Sequence, residues 1–377
     1  MEAEGFILQH AFRLFYTNYR RDWLVAFSGG VILSRCLTMP TEGEIISRIK
    51  SRARVNRRVL TGIGDDAAVV TLEAGSDLIA CCDLVVEGVH FRTGWAPPKL
   101  LGHKALAVTL SDVAAMGAVA RFALVSVAFP PSVGSEFVDA LFSGIFDLAD
   151  RCGVSIIGGD TSSSPGPLFL DTSVIGECRQ GRAVTRGGAK AGDIIWVTGD
   201  LGSSGLGLRL LEAGDRLDNE SSNNASEARR QALLKHLAPE PRLRLGHAIG
   251  EAGLATAMID ISDGLSTDLS HILEESGCGA IIRAASLPVA ECVLSLSAGD
   301  SSIDALSLAL HGGEEYELLF ASRPEREGEL FELSNLMGVA ITPIGEIVAG
   351  SGLQLEQDGR TESVRPAGYE HGEGSRI

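Results

Sequence analysis

The sequence predicts an α/β (α+β) protein built as two mixed α/β domains. Three observations carry this expectation. The chain has 377 residues, 45% hydrophobic and 21% charged, enough to bury more than one core. Short β-like apolar runs alternate with longer stretches of helical periodicity. Its 45 glycines fall in brief bursts between those runs, the texture of loops that approach a ligand closely.

Taken in order, residues 1–38 stand apart as a leader or extension. Tyr19-Arg20-Arg21 precedes the apolar run Trp23–Leu33, the basic-then-apolar order of an export signal, but that run is short for a membrane span and no A-x-A cleavage site follows. After Met39, the spacing of Ile45, Ile46 and Ile49, with Glu42 and Glu44 in the first turn, predicts a helix over about 41–55. Val69-Val70, Leu78–Ala80 and Leu84–Val86 read as separate short strands, and Lys99–Met116 as a long helix stopped by Gly117. A strand over Phe122–Phe129, a helix over about Ser135–Cys152 and strands over Val154–Ile157 and Leu168–Ile175 complete a first domain, 39–184. Glycine and basic residues over Arg182–Asp193 mark the boundary, and Ile194–Thr198 opens a second domain, 185–377. There the pattern runs helix Ser204–Glu212, a polar stretch Asp215–Arg230 with a surface loop at Asn219–Ala225, a helix, strand Ala257–Ile261, helix Leu265–Glu275 and further strands. No fixed-period repeat is present.

Charge narrows the function. Lys and Arg number 32 against 49 Asp and Glu, a formal charge of −17, and aromatics are only 5%. Such a surface repels polyanions and lacks stacking residues, which excludes a nucleic-acid reader. Seven cysteines without CxxC or zinc spacing imply a reducing cytoplasm and no disulfide framework, and the shortness of the Trp23–Leu33 run leads to the expectation of no membrane association.

Carboxylates carry the chemistry. Asp65-Asp66, Asp83, Asp160 and Asp260 with Asp263 each follow an apolar run, and in open α/β folds ligands gather at such strand ends. A single Gly-Asp pair is a turn; four acidic loops point to a metal cluster. Ser262 or Asp263 would also cap the helix at Leu265. Asp112 lies in Ala107–Met116, apolar on nearly every side, where an unpaired carboxylate costs roughly several kcal/mol. Its partner is either a buried cation such as Lys104 or Arg121, or a divalent metal. Gly62-x-Gly64-x-x-Ala67 fits a dinucleotide fingerprint and raises an NAD-dependent oxidoreductase as an alternative. Asp65 and Asp66 oppose it, because a carboxylate about 4 Å from a phosphate repels by about 4 kcal/mol at an effective dielectric of about 20. With Mg²⁺ between them the same acids become ligands, so the residues predict a Mg²⁺-dependent enzyme acting on a nucleotide.

The blocks GIGDDAA, CDLVVEGVHF, GHKALAVTLSDVAAMGA, IIGGDT, TRGGAKAGD, DISDGLSTDLSHI and HGGEEYELLF, in this order, resemble thiamine-monophosphate kinases of the aminoimidazole-ribonucleotide-synthetase-like superfamily. The resemblance covers roughly residues 41–371. It implies direct transfer of the γ-phosphoryl of ATP, the co-substrate, to thiamine phosphate, several Mg²⁺ ions, and a homodimer formed through N-terminal-domain strands. It implies metal ligation by Asp66, Asp83, Asp112, Asp160, Asp260 and Asp263, with Asp112 and Asp263 central to catalysis. Gly159, Asp160, Arg186 and Ser262 would contact ATP, and His90, Glu314 and Tyr369 the acceptor. Cys81 and Cys82 replace the Ser or Thr that relatives carry before the aspartate, so hydroxyl ligands are lost there and the backbone carbonyls of these two residues are the candidate metal ligands, thiols suiting softer metals. The segment before Met39 has no counterpart in the family. Another ATP-using member of the superfamily, such as an aminoimidazole ribonucleotide synthetase, is the nearest alternative.

Overall fold

A computed structural model describes residues 25–27, 30–32, 40–217 and 224–369. Within the leader it gives only an antiparallel pair of strands, β1 (Val25–Phe27) and β2 (Gly30–Ile32). The rest of the 1–38 extension and the expected loop tip at 219–223 lie outside the described residues.

The first domain opens with helix α1 (Glu42–Arg52). Its Thr41 N-cap and Glu44 form a reciprocal capping box, and Ile45 is its buried anchor. Two short strands follow, β3 (Val59–Thr61) and β4 (Val69–Val70), paired antiparallel. Gly62–Ala67 therefore joins two strands. The dinucleotide fingerprint requires a strand feeding a helix at that point, so that alternative loses its structural context.

The main N-terminal sheet has the order β5-β8-β6-β7, from β5 (Ser76–Val86), β6 (Val119–Phe129), β7 (Ser155–Ser163) and β8 (Phe169–Arg179). Helices α2 (Pro98–Ala115) and α3 (Ser135–Cys152) pack together and against this sheet. Two expectations are corrected. Leu78–Ala80 and Leu84–Val86 form one strand, paired with β8 without interruption from Ser76 to Val86. Asp83 therefore sits inside a strand, not beyond its end. Asp160 likewise lies within β7, which continues to Ser163 in parallel register with β6.

The second domain is a seven-stranded sheet in the order β10-β12-β9-β13-β11-β14-β15. In chain order its elements are β9 (Ile194–Thr198), α4 (Ser203–Glu212), α5 (Asn224–Leu237), α6 (Leu243–Ala252), β10 (Ala257–Asp260), α7 (Leu265–Ser276), β11 (Gly279–Arg283), α8 (Glu291–Ser297), α9 (Ala305–His311), β12 (Leu318–Ser322), α10 (Glu327–Met337), β13 (Ile341–Val348), β14 (Gly352–Gln357) and β15 (Arg360–Val364). Strand alternation splits β9 between two cores. Ile195 and Val197 pack toward α7 and α9, whereas Trp196 packs with α6 residues on the other face.

Helix α2 joins the two halves. Leu106, Leu110, Val113 and Ala114 are fully buried, and the helix also packs against α6 and β10 of the second domain. A helix enclosed on every side is hydrophobic all round, as its sequence shows. Any polar group it carries must find its partner inside the protein.

Candidate active site between the domains

Asp112 projects from that helix into a group of acids drawn from both domains. Ser111, its neighbour, donates a hydrogen bond of 2.7 Å to Asp260 Oδ2 at the end of β10. Asp83 approaches from β5, where one carboxylate oxygen is buried without a hydrogen-bond donor. Burial raises all three carboxyls. Asp112 rises to about 8, through burial and then repulsion by Asp260 and Asp83, with Arg186 opposing. Asp260 rises to about 6, its burial partly offset by Ser111 and reinforced by Asp83. Asp83 also rises, burial being partly offset by the Thr109 hydroxyl and reinforced by Asp171. Asp171, on the neighbouring strand β8, gives no sequence signal of its own: it stands in an ordinary alternating strand.

The buried cations expected as alternative partners of Asp112 are committed elsewhere. Lys104 Nζ lies 2.8 Å from Glu314 Oε1, and Arg121 Nε lies 2.8 Å from Glu177 Oε1. Glu177 is saturated by Arg121, Arg58 and the Glu73 N–H. Among the described residues no donor is bonded to the Asp112 carboxylate. One buried and two half-buried acids that repel one another, one with an orphaned oxygen, suit a hard divalent cation with oxygen ligands.

Asp263 lies in the turn before α7. Its carboxylate, Asp268 and His271 place ligand atoms within 4.8 Å of one another. Asp268, buried at 1% exposure, accepts from the Asp263 and Gly264 N–H groups at 3.1 and 3.0 Å and so fixes that turn. Burial, then Asp260 and Asp263, raise the Asp268 carboxyl to about 8. Sequence reasoning missed Asp268 and His271, although the DGLSTDLSH spacing sets them three apart on one helix face.

Asp66 and Asp160 form a different group. Both line a cavity of ≈ 660 Å³ walled by Gly62–Ala68, α1 and strands β6, β7 and β8, together with Gly159. A Cβ on Gly159 would lie 1.8 Å from the Val125 carbonyl oxygen, so only glycine lets the strands close there. The expected metal ligands are thus divided between a buried interdomain group and an open cavity.

Cys81 shares a strand face with Asp83 and points its thiol at the Thr109 carbonyl, 3.4 Å away. Burial, then Asp112 and Asp83, push that thiol up, away from the thiolate a metal would need. Cys82 is exposed on the opposite face. The adjacent pair cannot present two thiols to one ion, which leaves the backbone carbonyls as the ligands this dipeptide could offer.

The expected acceptor residues come from three elements. His90, in the turn after β5, accepts from the Val86 N–H at Nδ1 over 3.1 Å. Glu314 stands in a left-handed conformation, φ +61°, its N–H bonded to the Ser262 carbonyl at 2.7 Å. The Tyr369 N–H donates to the Asp263 carbonyl at 3.1 Å, and a Cβ on Gly368 would lie 2.0 Å from that same oxygen. The closing segment is therefore seated on the turn that holds Ser262 and Asp263. Arg186, exposed in the interdomain crossing, acts on Asp112 and Asp260 through its charge.

Two sheets joined by an acid-bearing helix define the class: residues 64–178 match the N-terminal domain of AIR synthase related proteins, and residues 190–358 their C-terminal domain. The thiamine-monophosphate kinase of Escherichia coli (strain K12) is 38% identical over 332 residues, 88% of this chain and 98% of that protein. The crystal structure of thiamine-monophosphate kinase from Stenotrophomonas maltophilia K279a superposes with a TM-score of 0.75 at 35% identity, covering 84% of this chain and 96% of that one. A second solved structure, AaThiL complexed with AMPPCP and TMP, gives a TM-score of 0.69 at 29% identity, over 87% and 95% of the two chains. The chain belongs to the thiamine-monophosphate kinase family.

Proposed function

We propose that the chain phosphorylates thiamine phosphate to thiamine diphosphate with ATP, in one direct displacement assisted by Mg²⁺. The terminal phosphate oxygen of the acceptor attacks the γ-phosphorus, the bond to the β–γ bridging oxygen breaks, and ADP leaves with that electron pair. The attacking oxygen is already ionised at neutral pH, so no strong general base is required. Asp83, Asp112 and Asp260 are the core metal ligands, with Asp263, Asp66 and Asp160 completing the acidic set. When bound, Mg²⁺ neutralises the triphosphate and the charge that develops in transfer. Gly159, Asp160, Arg186 and Ser262 contact ATP. Glu314 meets the cationic thiazolium, with His90 and Tyr369 lining the acceptor site.

The observation that carries this reading is the trio of buried Asp260 with half-buried Asp83 and Asp112: Lys104 and Arg121 are held by Glu314 and Glu177, which leaves the exposed Arg186 to act on Asp112 and Asp260 through its charge alone. Exposed apolar residues on one region of the N-terminal domain, Leu60, Val69, Leu78 and Leu84, support a homodimer through its strands. The free thiols support a cytoplasmic setting. No helix among the described residues is long and apolar enough to cross a membrane.

An ADP-release assay with thiamine phosphate against free thiamine, with and without Mg²⁺, tests the proposal. Turnover requires thiamine phosphate and the metal together. Equal turnover on free thiamine, or activity in chelator, overturns it; a labelled phosphoenzyme from [γ-³²P]ATP overturns the direct displacement.

A further inference from the structure

Glu314 rests on a buried polar relay that the displacement itself does not use. Lys104, 3% exposed in α2, sets its Nζ 2.8 Å from Glu314 Oε1 and 3.3 Å from His236 Nε2. His236, 1% exposed in α5, has Nδ1 3.3 Å from Glu314 Oε2 and 3.2 Å from Ser204 Oγ. Burial, and then Lys104, lower the imidazole to about 4, so it is neutral at physiological pH. A neutral ring that faces an ammonium through Nε2 must accept there, which places its proton on Nδ1, toward Glu314 and Ser204. Each Glu314 oxygen thus has a donor group beside it, one from each domain. Burial by itself would push this carboxyl up; the charge and hydrogen bond of Lys104 work against it and the net direction is downward.

The backbone is held as firmly. Left-handed φ values at Glu314 (+61°) and Tyr316 (+51°) are strained for residues that carry a Cβ and persist only where neighbours enforce them. Between them, Glu315 accepts from the Gly202 and Ser204 N–H groups at 2.8 and 3.0 Å. Beyond them, Glu317 accepts from Thr198, Lys235 and Arg242. The segment is fastened on both sides of Glu314, and Lys104 settles the one side chain that points out of it, 24% exposed.

We propose that Lys104, backed by His236, is a positioning residue that holds the Glu314 carboxylate in a single rotamer for the acceptor cation, acting through Glu314 and not on the transferred phosphoryl group. This rests on the assignment of Glu314 to the acceptor site made above. A carboxylate arranged in advance costs the ligand no reorganisation, so the effect falls on acceptor affinity.

Steady-state kinetics on the full chain, varying thiamine phosphate and ATP separately, test it. Glu314→Gln and Lys104→Met each raise the KM for thiamine phosphate at least about tenfold and leave the KM for ATP within about twofold. Lys104→Arg recovers most of the loss. The double variant is no worse than Glu314→Gln alone, the non-additivity expected when one residue acts through the other. If Glu314→Gln raises the acceptor KM and Lys104→Met does not, or if the two losses multiply, the inference is overturned. If Glu314→Gln itself changes nothing, the acceptor assignment falls first. Should Lys104→Met fail to fold, the double variant, which buries no lone charge, supplies the comparison: a KM equal to that of Glu314→Gln supports the inference and a higher one overturns it.

Discussion

Two groups of acids, drawn from distant parts of the chain, are withdrawn from solvent to different degrees and behave in opposite ways. Glu317, wholly buried, receives Lys235, Arg242 and Thr198, and its carboxyl falls below the usual range because those partners outweigh its desolvation. Asp112, half-buried, meets Asp260 and Asp83 instead, with the charge of Arg186 opposing them, and rises to about 8. Burial is common to both; the partners decide. A carboxylate with its own cations ties helices to a sheet, whereas carboxylates whose mutual repulsion outweighs a single exposed arginine have stability to gain from an ion arriving from outside.

Breaking each group should therefore damage a different property. The largest effect is expected from Asp112→Asn: kcat falls at least about 100-fold, while the melting temperature without metal holds or rises because a repulsion has gone. ADP release and thermal melts of the same preparation check both halves, and a folded variant with full activity would remove Asp112 from the site. Glu317→Gln should do the reverse. Leaving Lys235 and Arg242 without their anion costs about 3–5 kcal/mol, read from urea denaturation, with Mg²⁺ affinity little changed.

A smaller effect distinguishes the groups by pH. The folded pKa of Asp112 lies above its unfolded value, so without metal the folded state holds the proton more tightly, and stability declines as pH rises from about 4 toward about 8. The folded pKa of Glu317 is depressed, so its contribution is present above the unfolded value and is lost as pH falls through the folded one. Melts at pH 6 and pH 8 should show a larger gain from added MgCl₂ at the higher pH, and no such difference in Asp112→Asn. The smallest effect concerns the strand beside Asp83. Cys81→Ser, on the Asp83 face, offers a hard oxygen and should tighten Mg²⁺ by a few-fold at most. Cys82→Ser, on the other face, should leave affinity within about twofold. Equal responses from the two would contradict the facing described for β5.

Much of this was legible in the chain itself. Asp112 stood out because a charged residue in an all-apolar helix must be answered by something, and the long helix, the boundary glycines and the Asp260–Asp263 turn are local signals. Asp83 and Asp160 were read as lying beyond strands because polar residues interrupt their apolar runs. The ladders to β8 and β6 continue through those residues, since alternate side chains leave toward the other face. The pairing of Lys104 with Glu314 was not readable, because it joins residues distant in sequence and depends on how the domains close. Nor was the left-handed backbone at Glu314 and Tyr316, where no glycine announces it.

Lys104 and Asp112 ride on the same helix, eight positions and so about 12 Å apart along its axis. Under the proposed assignments a single rod would work as a gauge, one end set by the seat for the acceptor cation and the other by a metal ion holding the nucleotide tail. If α2 shifts as the domains flex, both ends travel together, and the span between donor and recipient is preserved through the motion.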